Sequence, residues 1–252
     1  PGMPANYARF LLHRERTHAA NRQLGWALAF VAGAMNAGGF LAVQQYTSHV
    51  TGSLSMLADQ LALGQMGLVV DATVSVLAFL LGAVTSSLLI LQARRRQLAS
   101  EYALPLLLEA ALILCFGLLG AQLSTFEGLL VPFTVVLLCF IMGLQNAIVT
   151  KISQAEIRTT HMTGVITDLG IELGRLLYWN RSHAHGGEPV RANRDRLRIL
   201  LLILGLFFAG GLAGAWAFKT VGYGAVLPLA AVLAVVALPP LLNDVRERLT
   251  AP

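Results

Sequence analysis

The chain has 252 residues, of which 56% are hydrophobic and 12% charged, with a mean hydropathy of +0.68 and a formal net charge of +5. This composition is too apolar for a soluble domain of this length. The apolar runs are continuous rather than alternating, which favours membrane-spanning helices over a β-barrel. The basic residues cluster beside those runs, as topology determinants do, so nucleic-acid binding is not indicated.

Six apolar runs are long enough to cross a bilayer and predict six transmembrane helices. Their predicted bounds are 24–43, 66–91, 102–121, 129–149, 198–218 and 222–242. Residues 1–23 are predicted to form a basic, amphipathic cytoplasmic segment on the inner leaflet, and residues 243–252 a cytoplasmic tail.

The distribution of basic residues predicts the orientation. With the N-terminus in the cytoplasm, 17 of the 18 Lys and Arg side chains fall on the cytoplasmic side, and only Lys219 falls outside. The positive-inside rule therefore places both termini, the three arginines at 94–96 and the segment 150–197 in the cytoplasm.

Two polar segments resemble each other in sequence. Asn36 is followed by Thr-Ser-His-Val-Thr-Gly at 47–52, and Asn146 is followed by Thr-Thr-His-Met-Thr-Gly at 159–164. Each segment follows the first of three apolar runs, so the chain reads as two halves with three spans each.

An odd number of spans in each half inverts the second half relative to the first. We therefore expect a 3+3 inverted repeat, with halves at 24–121 and 129–242, as in many secondary transporters. The short acid-bearing stretches 53–64 and 165–178 cannot span a bilayer alone. They are expected to be re-entrant half-helices or helices in the membrane interface, and the residues leave both options open.

These segments are suited to binding a polar solute. A Gly after a Thr at a helix start leaves backbone N–H groups free, and the helix dipole adds partial positive charge. A His adds a titratable donor, and a carboxylate near hydrocarbon usually faces a cavity or a partner. The predicted solute-binding or coupling residues are His49, Thr51, Gly52, Asp59, His161, Thr163, Gly164, Asp168, Asn36 and Asn146. The competing interpretation is that these side chains cap helices and cross-link spans.

The acidic residues differ in their expected partners. Arg175 lies three residues after Glu172 and is expected to pair with it, whereas Asp59 and Asp168 have no such local partner. Glu109 lies inside an apolar run and is expected to be an interfacial carboxylate that reaches water, with a proton relay as the alternative.

The motifs and the downstream acids resemble the YoaK family of bacterial inner-membrane proteins. The quoted residues are the two Thr/His/Gly segments, each with a downstream Asp, and Gly-Leu-Gln-Asn-Ala at 143–147. The similarity covers about residues 24 to 242. It implies a six-span protein of the bacterial inner membrane, from a family of unknown function.

The sequence therefore predicts a secondary transporter or facilitator of a small polar solute, with an anion as one option, working by alternating access. Its expected partners are the lipid bilayer and that solute, and a second copy of the chain is compatible with the sequence. No cofactor or metal is predicted, since no nucleotide-binding or hydrolase motif is present. The alternatives are a membrane enzyme that uses His49 and His161 as acid and base on a lipid-linked substrate, and a non-transporting sensor or scaffold.

Overall fold

The computed structural model describes residues 18–98, 100–123, 127–152, 162–178 and 191–250. Within these ranges the chain forms eight α-helices and one short 3-10 helix. They are α1 (His18–Val43), α2 (Val50–Ala62), α3 (Met66–Arg95), α4 (Ala103–Gln122), α5 (Glu127–Ile152), α6 (Met162–Leu177), α7 (Arg194–Val221), the 3-10 helix (Gly222–Ala225) and α8 (Val226–Thr250). Of the predicted features, His161 and most of the N-terminal segment lie outside the described residues. The helix α8 continues into the stretch predicted as a tail.

Among the residues that the structure describes, five stretches have the length and hydropathy of a membrane span. They are Gln23–Val43, Met66–Arg95, Ala103–Gln122, Leu130–Ile152 and Arg194–Asp244. The last stretch is 51 residues long and contains α7, the 3-10 helix and α8. A straight helix of that length would extend roughly 75 Å, more than twice the hydrocarbon core of a bilayer. The break falls at Gly222, whose φ of 67° lies in the region that favours glycine.

The outer surface of the long helices is apolar. Leu80 and Leu88 on α3 are 55% and 60% exposed, and Phe208 and Trp216 on α7 are 72% and 70% exposed. A water-facing helix would carry polar side chains at such positions. This surface and the apolar spans identify the chain as a polytopic α-helical protein of the membrane type.

The long helices alternate in direction. Arg94 near the end of α3 bonds to Glu101 just before α4, and Asp244 near the end of α8 accepts hydrogen bonds from Ser100. One end of the bundle therefore holds the ends of α3, α5 and α8 and the starts of α1, α4 and α7. We name this the basic end, because it carries Arg94, Lys151 and Arg194, and the other the opposite end.

Two pairs of parallel helices cross at points with the same residue pattern. α1 crosses α7, and α3 crosses α5. Each helix contributes a Phe followed three residues later by a Gly, and a Cβ on each Gly would overlap the carbonyl oxygen of the Phe on the partner helix. Small residues let helix backbones approach this closely in membranes. The residues are Phe30 with Gly33 and Phe207 with Gly210 at one crossing, and Phe79 with Gly82 and Phe140 with Gly143 at the other.

The third major contact joins α4 and α8. The buried face of α4 repeats every three or four residues through Leu106, Ala110, Ile113 and Phe116. Near the opposite end, Phe116 meets the ring of Tyr223 edge-on with centroids 5.8 Å apart. At the basic end, the Asp244 carboxylate accepts from the Ser100 backbone N–H at 2.9 Å and from its hydroxyl at 2.6 Å. Contacts near both ends therefore hold α4 and α8 together.

Candidate functional site

The chain turns back on itself directly after α1. Gln44 has a φ of 56°, and its N–H donates to the Phe40 carbonyl at 2.8 Å. Tyr46 then stacks on the Phe40 ring with centroids 4.8 Å apart. The buried Thr47 lies beside Gly39, one turn below the end of α1. The segment after α1 therefore runs back along the helix that it has just left.

This return ends in a hydrogen bond at one of the predicted site residues. The Ser48 hydroxyl donates to the Asn36 Oδ1 at 2.8 Å, and both residues are half-buried. Asn36 lies seven residues before the last residue of α1, Val43, so Ser48 reaches about two turns, or roughly 10 Å, below that end. The sequence motif contained Ser48, but Ser48 was not among the predicted site residues. Its partner lies 12 residues away, beyond the reach of helical spacing.

His49 occupies the position before the first residue of α2. Its backbone is not helical (φ −94°, ψ 67°), and its side chain makes no capping hydrogen bond. The imidazole instead lies over Gly52, where a Cβ would overlap its Nδ1. His49 and Gly52, both predicted as site residues, are therefore in contact. The first N–H groups of α2 therefore donate no hydrogen bond to the His49 side chain.

The other predicted residues of the first half, Thr51 and Asp59, are exposed on α2. This helix has no buried residue, and its main contact is with α3. Gln60, next to Asp59, has a buried Oε1 without a hydrogen-bond partner among the described residues.

In the second half, Asp168 has a partner that the sequence did not indicate. Its carboxylate accepts from Arg196 at the start of α7, with Nη2 and Oδ2 3.0 Å apart, and both side chains are largely exposed. The expectation that Asp168 lacks a local partner holds along α6, because Arg196 lies 28 residues further on. Thr163 is exposed and Gly164 half-buried in the first turn of α6.

Glu172 is the buried acid of α6. Its side chain is 1% exposed and accepts from Arg175 at 2.9 Å, as the spacing predicted. Its second oxygen accepts from the backbone N–H of Asn193 at 2.9 Å. Asn193 in turn caps α7, because its Oδ1 accepts from the Arg196 N–H at 3.0 Å. Glu172 thus ties α6 to the start of α7.

The two acids predicted as counterparts do not occupy matching positions. When Gly52 is aligned with Gly164, the eighth residue after each glycine is Gln60 in α2 and Glu172 in α6. Asp59 and Asp168 stand at different distances from their glycines. The matching polar pair is therefore Gln60 and Glu172. The spacing in the sequence is sufficient to identify this pair.

Asn36 and Asn146 stand in similar surroundings. Both are half-buried, and the burial classes of residues 31–40 recur in the same order at residues 141–150. The Asn146 carbonyl oxygen accepts from the Thr150 hydroxyl at 2.7 Å. The similarity of the two halves in sequence thus extends to the burial pattern of the helices that precede the polar segments.

Glu109 differs from the expectation of an interfacial carboxylate that reaches water. Its side chain has no accessible surface, and neither carboxyl oxygen has a hydrogen-bond partner among the described residues. The reason is that Glu109 lies on the buried face of α4, between Leu106 and Ile113. Gln145 on α5 is buried to the same extent, and neither its Nε2 nor its Oε1 has a partner in the described part of the chain.

A cavity of about 530 Å³ lies between α1, α7 and α8. Its walls are almost entirely apolar and include Trp26, Phe30, Phe218, Leu229 and Val232. Such walls suit a polar solute poorly, and none of the predicted site residues lines them, so this cavity is distinct from the predicted polar site. Within the described ranges, no three His, Cys, Asp or Glu side chains come together in a way that could hold a metal ion.

The spans, the apolar surface and the polar segments define the class of the chain: a polytopic helical protein of the membrane type. A family model described as a protein of unknown function (DUF1275) matches residues 24–238. The chain belongs to this family, and the YoaK family that its motifs resemble is a member of it. No curated protein and no solved structure matches the chain.

Proposed function

We propose that the chain is a secondary transporter or facilitator of a small polar solute, working by alternating access between two inverted halves. The observation that carries the proposal is the return of residues 44–48 along α1, fixed by the Ser48–Asn36 hydrogen bond. Because of this return, α2 starts at the depth of Asn36 and runs back towards the start of α3. A descending segment followed by a short helix is the form of a re-entrant loop. The free N–H groups at the start of α2 then lie at the depth of Asn36.

The crossing helices support the inverted repeat. Adding 110 to Phe30 and Gly33 gives Phe140 and Gly143, and adding 128 to Phe79 and Gly82 gives Phe207 and Gly210. Exchanging the halves therefore converts the contact between α1 and α7 into the contact between α5 and α3. We propose α8 as the sixth span on the same ground, because the exchange of halves matches α8 with α4. Gly222 separates α8 from α7.

The depth of the two polar segments supports one central site. Gly39 on α1 lies beside Leu138 on the antiparallel α5. Continuing this register places Asn36 opposite Ile141, and Asn146 opposite Val31. The two asparagines are thus about five residues, or roughly 8 Å, apart along the bundle. The asparagines that precede the two polar segments therefore lie at similar depths in the bundle.

The location and orientation belong to the same proposal. The basic end carries Arg94, Arg95 and Lys151, and the opposite end carries Lys219. By the positive-inside rule, the basic end and both termini lie in the cytoplasm. The bacterial inner membrane is the location that the YoaK resemblance implies.

Accessibility of a single cysteine tests the proposal without knowledge of the solute. Thr51→Cys is introduced after the two native free cysteines, Cys115 and Cys139, have been replaced by serine. A membrane-impermeant maleimide is then applied to intact spheroplasts and to inside-out vesicles. Alternating access predicts labelling from both sides, because a central position opens to each side in turn. Labelling from one side only would contradict alternating access and favour the enzyme or the scaffold.

Two control variants calibrate the labelling assay. Leu80→Cys lies on the apolar surface of α3 and is expected to react from neither side. Lys219→Cys lies at the opposite end and is expected to react only in spheroplasts. A reversed pattern for Lys219→Cys would refute the orientation but leave the test of alternating access intact.

A further inference from the structure

Glu109 and Gln145 are buried polar residues that the proposed solute site does not include. Both side chains have no accessible surface, and among the described residues neither has a hydrogen-bond partner. Buried polar groups without partners are rare in native proteins, and each one calls for an explanation. The cost is largest for a carboxyl group, because an ionised carboxylate in an apolar interior loses its hydration without compensation.

The two side chains lie at the same depth on contacting helices. Glu109 lies six residues after Ala103, the first residue of α4, and Gln145 lies seven residues before Ile152, the last residue of α5. Both are therefore roughly 9 to 11 Å from the basic end of the bundle. Lys151 at that end is close enough to Arg94 and Glu101 to interact with them electrostatically.

No charged group is placed to neutralise an ionised Glu109. Among the described charged side chains on the helices packed against α4, Asp71 lies near the opposite end of α3, and the others lie at the basic end: Arg94, Arg95, Lys151, Asp244 and Arg246. Arg94 bonds to Glu101, Lys151 donates to the Ser87 hydroxyl at 2.8 Å, and Asp244 is bonded to Ser100. The other titratable side chains on these elements are Cys139, which is buried on α5, and Tyr223, which packs against Phe116 near the opposite end of α4.

The lack of accessible surface also limits what Glu109 can bind. Its neighbours leave no room for a water molecule or a hydrated ion against the carboxyl group. A proton needs no volume and removes the charge. We propose that Glu109 is a proton-binding site inside the membrane, protonated in this conformation, with the Gln145 amide as the donor that stabilises the carboxylate when the proton leaves.

The proton transfer is balanced without a further reactant. Separation of α4 from α5 admits water from the basic end, the Glu109 O–H bond breaks, and the proton passes to water. The carboxylate that remains accepts a hydrogen bond from the Gln145 Nε2. The role of this proton as the coupling ion of transport rests on the proposed function. Proton binding by Glu109 does not rest on it.

Each of these two polar residues has an apolar residue at the matching position of the other half. The offset of 110 that relates Gly33 to Gly143 matches Gln145 with Met35. The segments Ala-Leu-Pro-Leu at 103–106 and Val-Leu-Pro-Leu at 226–229 match α4 with α8, and Glu109 with Val232. A scaffold of this kind therefore accepts apolar residues at both positions, and Glu109 is not needed to build it.

Infrared spectroscopy of the full chain tests the proposal. In a detergent without ester groups at neutral pH, a protonated carboxyl gives a C=O band that ionised acids lack. We expect this band in the wild type, a shift of the band on ¹³C-glutamate labelling, and its loss in Glu109→Gln. Glu109→Val, which supplies the residue of the matching position, replaces the amide variant if that variant fails to fold. Asp244→Asn removes a hydrogen-bonded buried carboxylate and should leave the band unchanged.

Exchange with deuterium separates a proton-binding site from a sealed structural group. In D₂O we expect the band to shift before the amides of the spans exchange, because the site opens to water. Gln145→Met should slow this shift by roughly tenfold or more, because it removes a hydrogen bond to a charged group. Absence of the band in the wild type, or a band that remains unshifted for as long as the span amides do, would overturn the proposal. Labelling of Thr51→Cys from one side only would refute alternating access and leave proton binding intact.

Discussion

The helix crossings give the most direct test of the architecture. A Cβ on Gly210 would overlap the Phe30 carbonyl oxygen, whereas Gly205 on the same helix has no neighbouring atom within 4 Å of such a Cβ. Overpacking costs about 1–3 kcal/mol, and backbone atoms cannot rotate away, so the upper part of the range applies to Gly210→Ala. Alanine gains about 1 kcal/mol in helix propensity at either position. We therefore expect Gly210→Ala to lose about 1–2 kcal/mol and Gly205→Ala to be neutral or stabilised.

For a chain of this size, 1 kcal/mol corresponds to roughly 2–4 °C in Tm. Gly210→Ala should therefore melt about 2–8 °C below the wild type and Gly205→Ala at or above it, measured in detergent as loss of the monodisperse peak on size exclusion. Gly82→Ala at the other crossing should behave like Gly210→Ala. Equal melting of the Gly205 and Gly210 variants would show that α1 and α7 do not cross as described.

Two further predictions concern the acidic residues. Asp244→Asn should destabilise the chain by about 1.5–3 kcal/mol in the same melting assay, because it weakens two buried hydrogen bonds to a charged group. Ser100→Ala should cost less, because the hydrogen bond from the Ser100 backbone N–H to Asp244 remains. Asp168→Asn should change stability by less than about 1 kcal/mol, since its pairing with Arg196 is exposed, whereas Glu172→Gln should cost at least twice as much. Equal effects of the Asp168 and Glu172 variants would contradict the difference in burial.

The positions of the long helices could be predicted from the sequence. The runs 66–91 and 102–121 correspond to Met66–Arg95 and Ala103–Gln122. These segments are apolar over their whole length, and the need to satisfy backbone hydrogen bonds in hydrocarbon leaves little choice but helix. The similarity of 47–52 to 159–164 predicts two related halves, and the inverted repeat remains part of the proposed function.

The contacts of the polar side chains could not be predicted in the same way. The Asn36–Ser48 and Asp168–Arg196 pairs join residues 12 and 28 positions apart, and periodicity has no information on such contacts. Glu109 shows a second limit. Its spacing from Leu106 places it on the buried face, but α4 is apolar all round, and such a helix gives no indication of which face is buried.

The differences between the halves bear on mechanism more than their similarity does. Two halves alike in every residue would offer the same groups to both sides of the membrane. Here Glu109 is fully buried on α4, whereas Val232, the residue that matches it on α8, lines the apolar cavity. The carboxyl group lies near the basic end only, so a proton that binds there enters and leaves most directly from that side. If the halves exchange conformations during transport, that proton has a short path to the basic end in one conformation and none in the other. In the proposed mechanism, the two halves supply the alternation, and the unmatched carboxyl group of Glu109 gives the transport a direction.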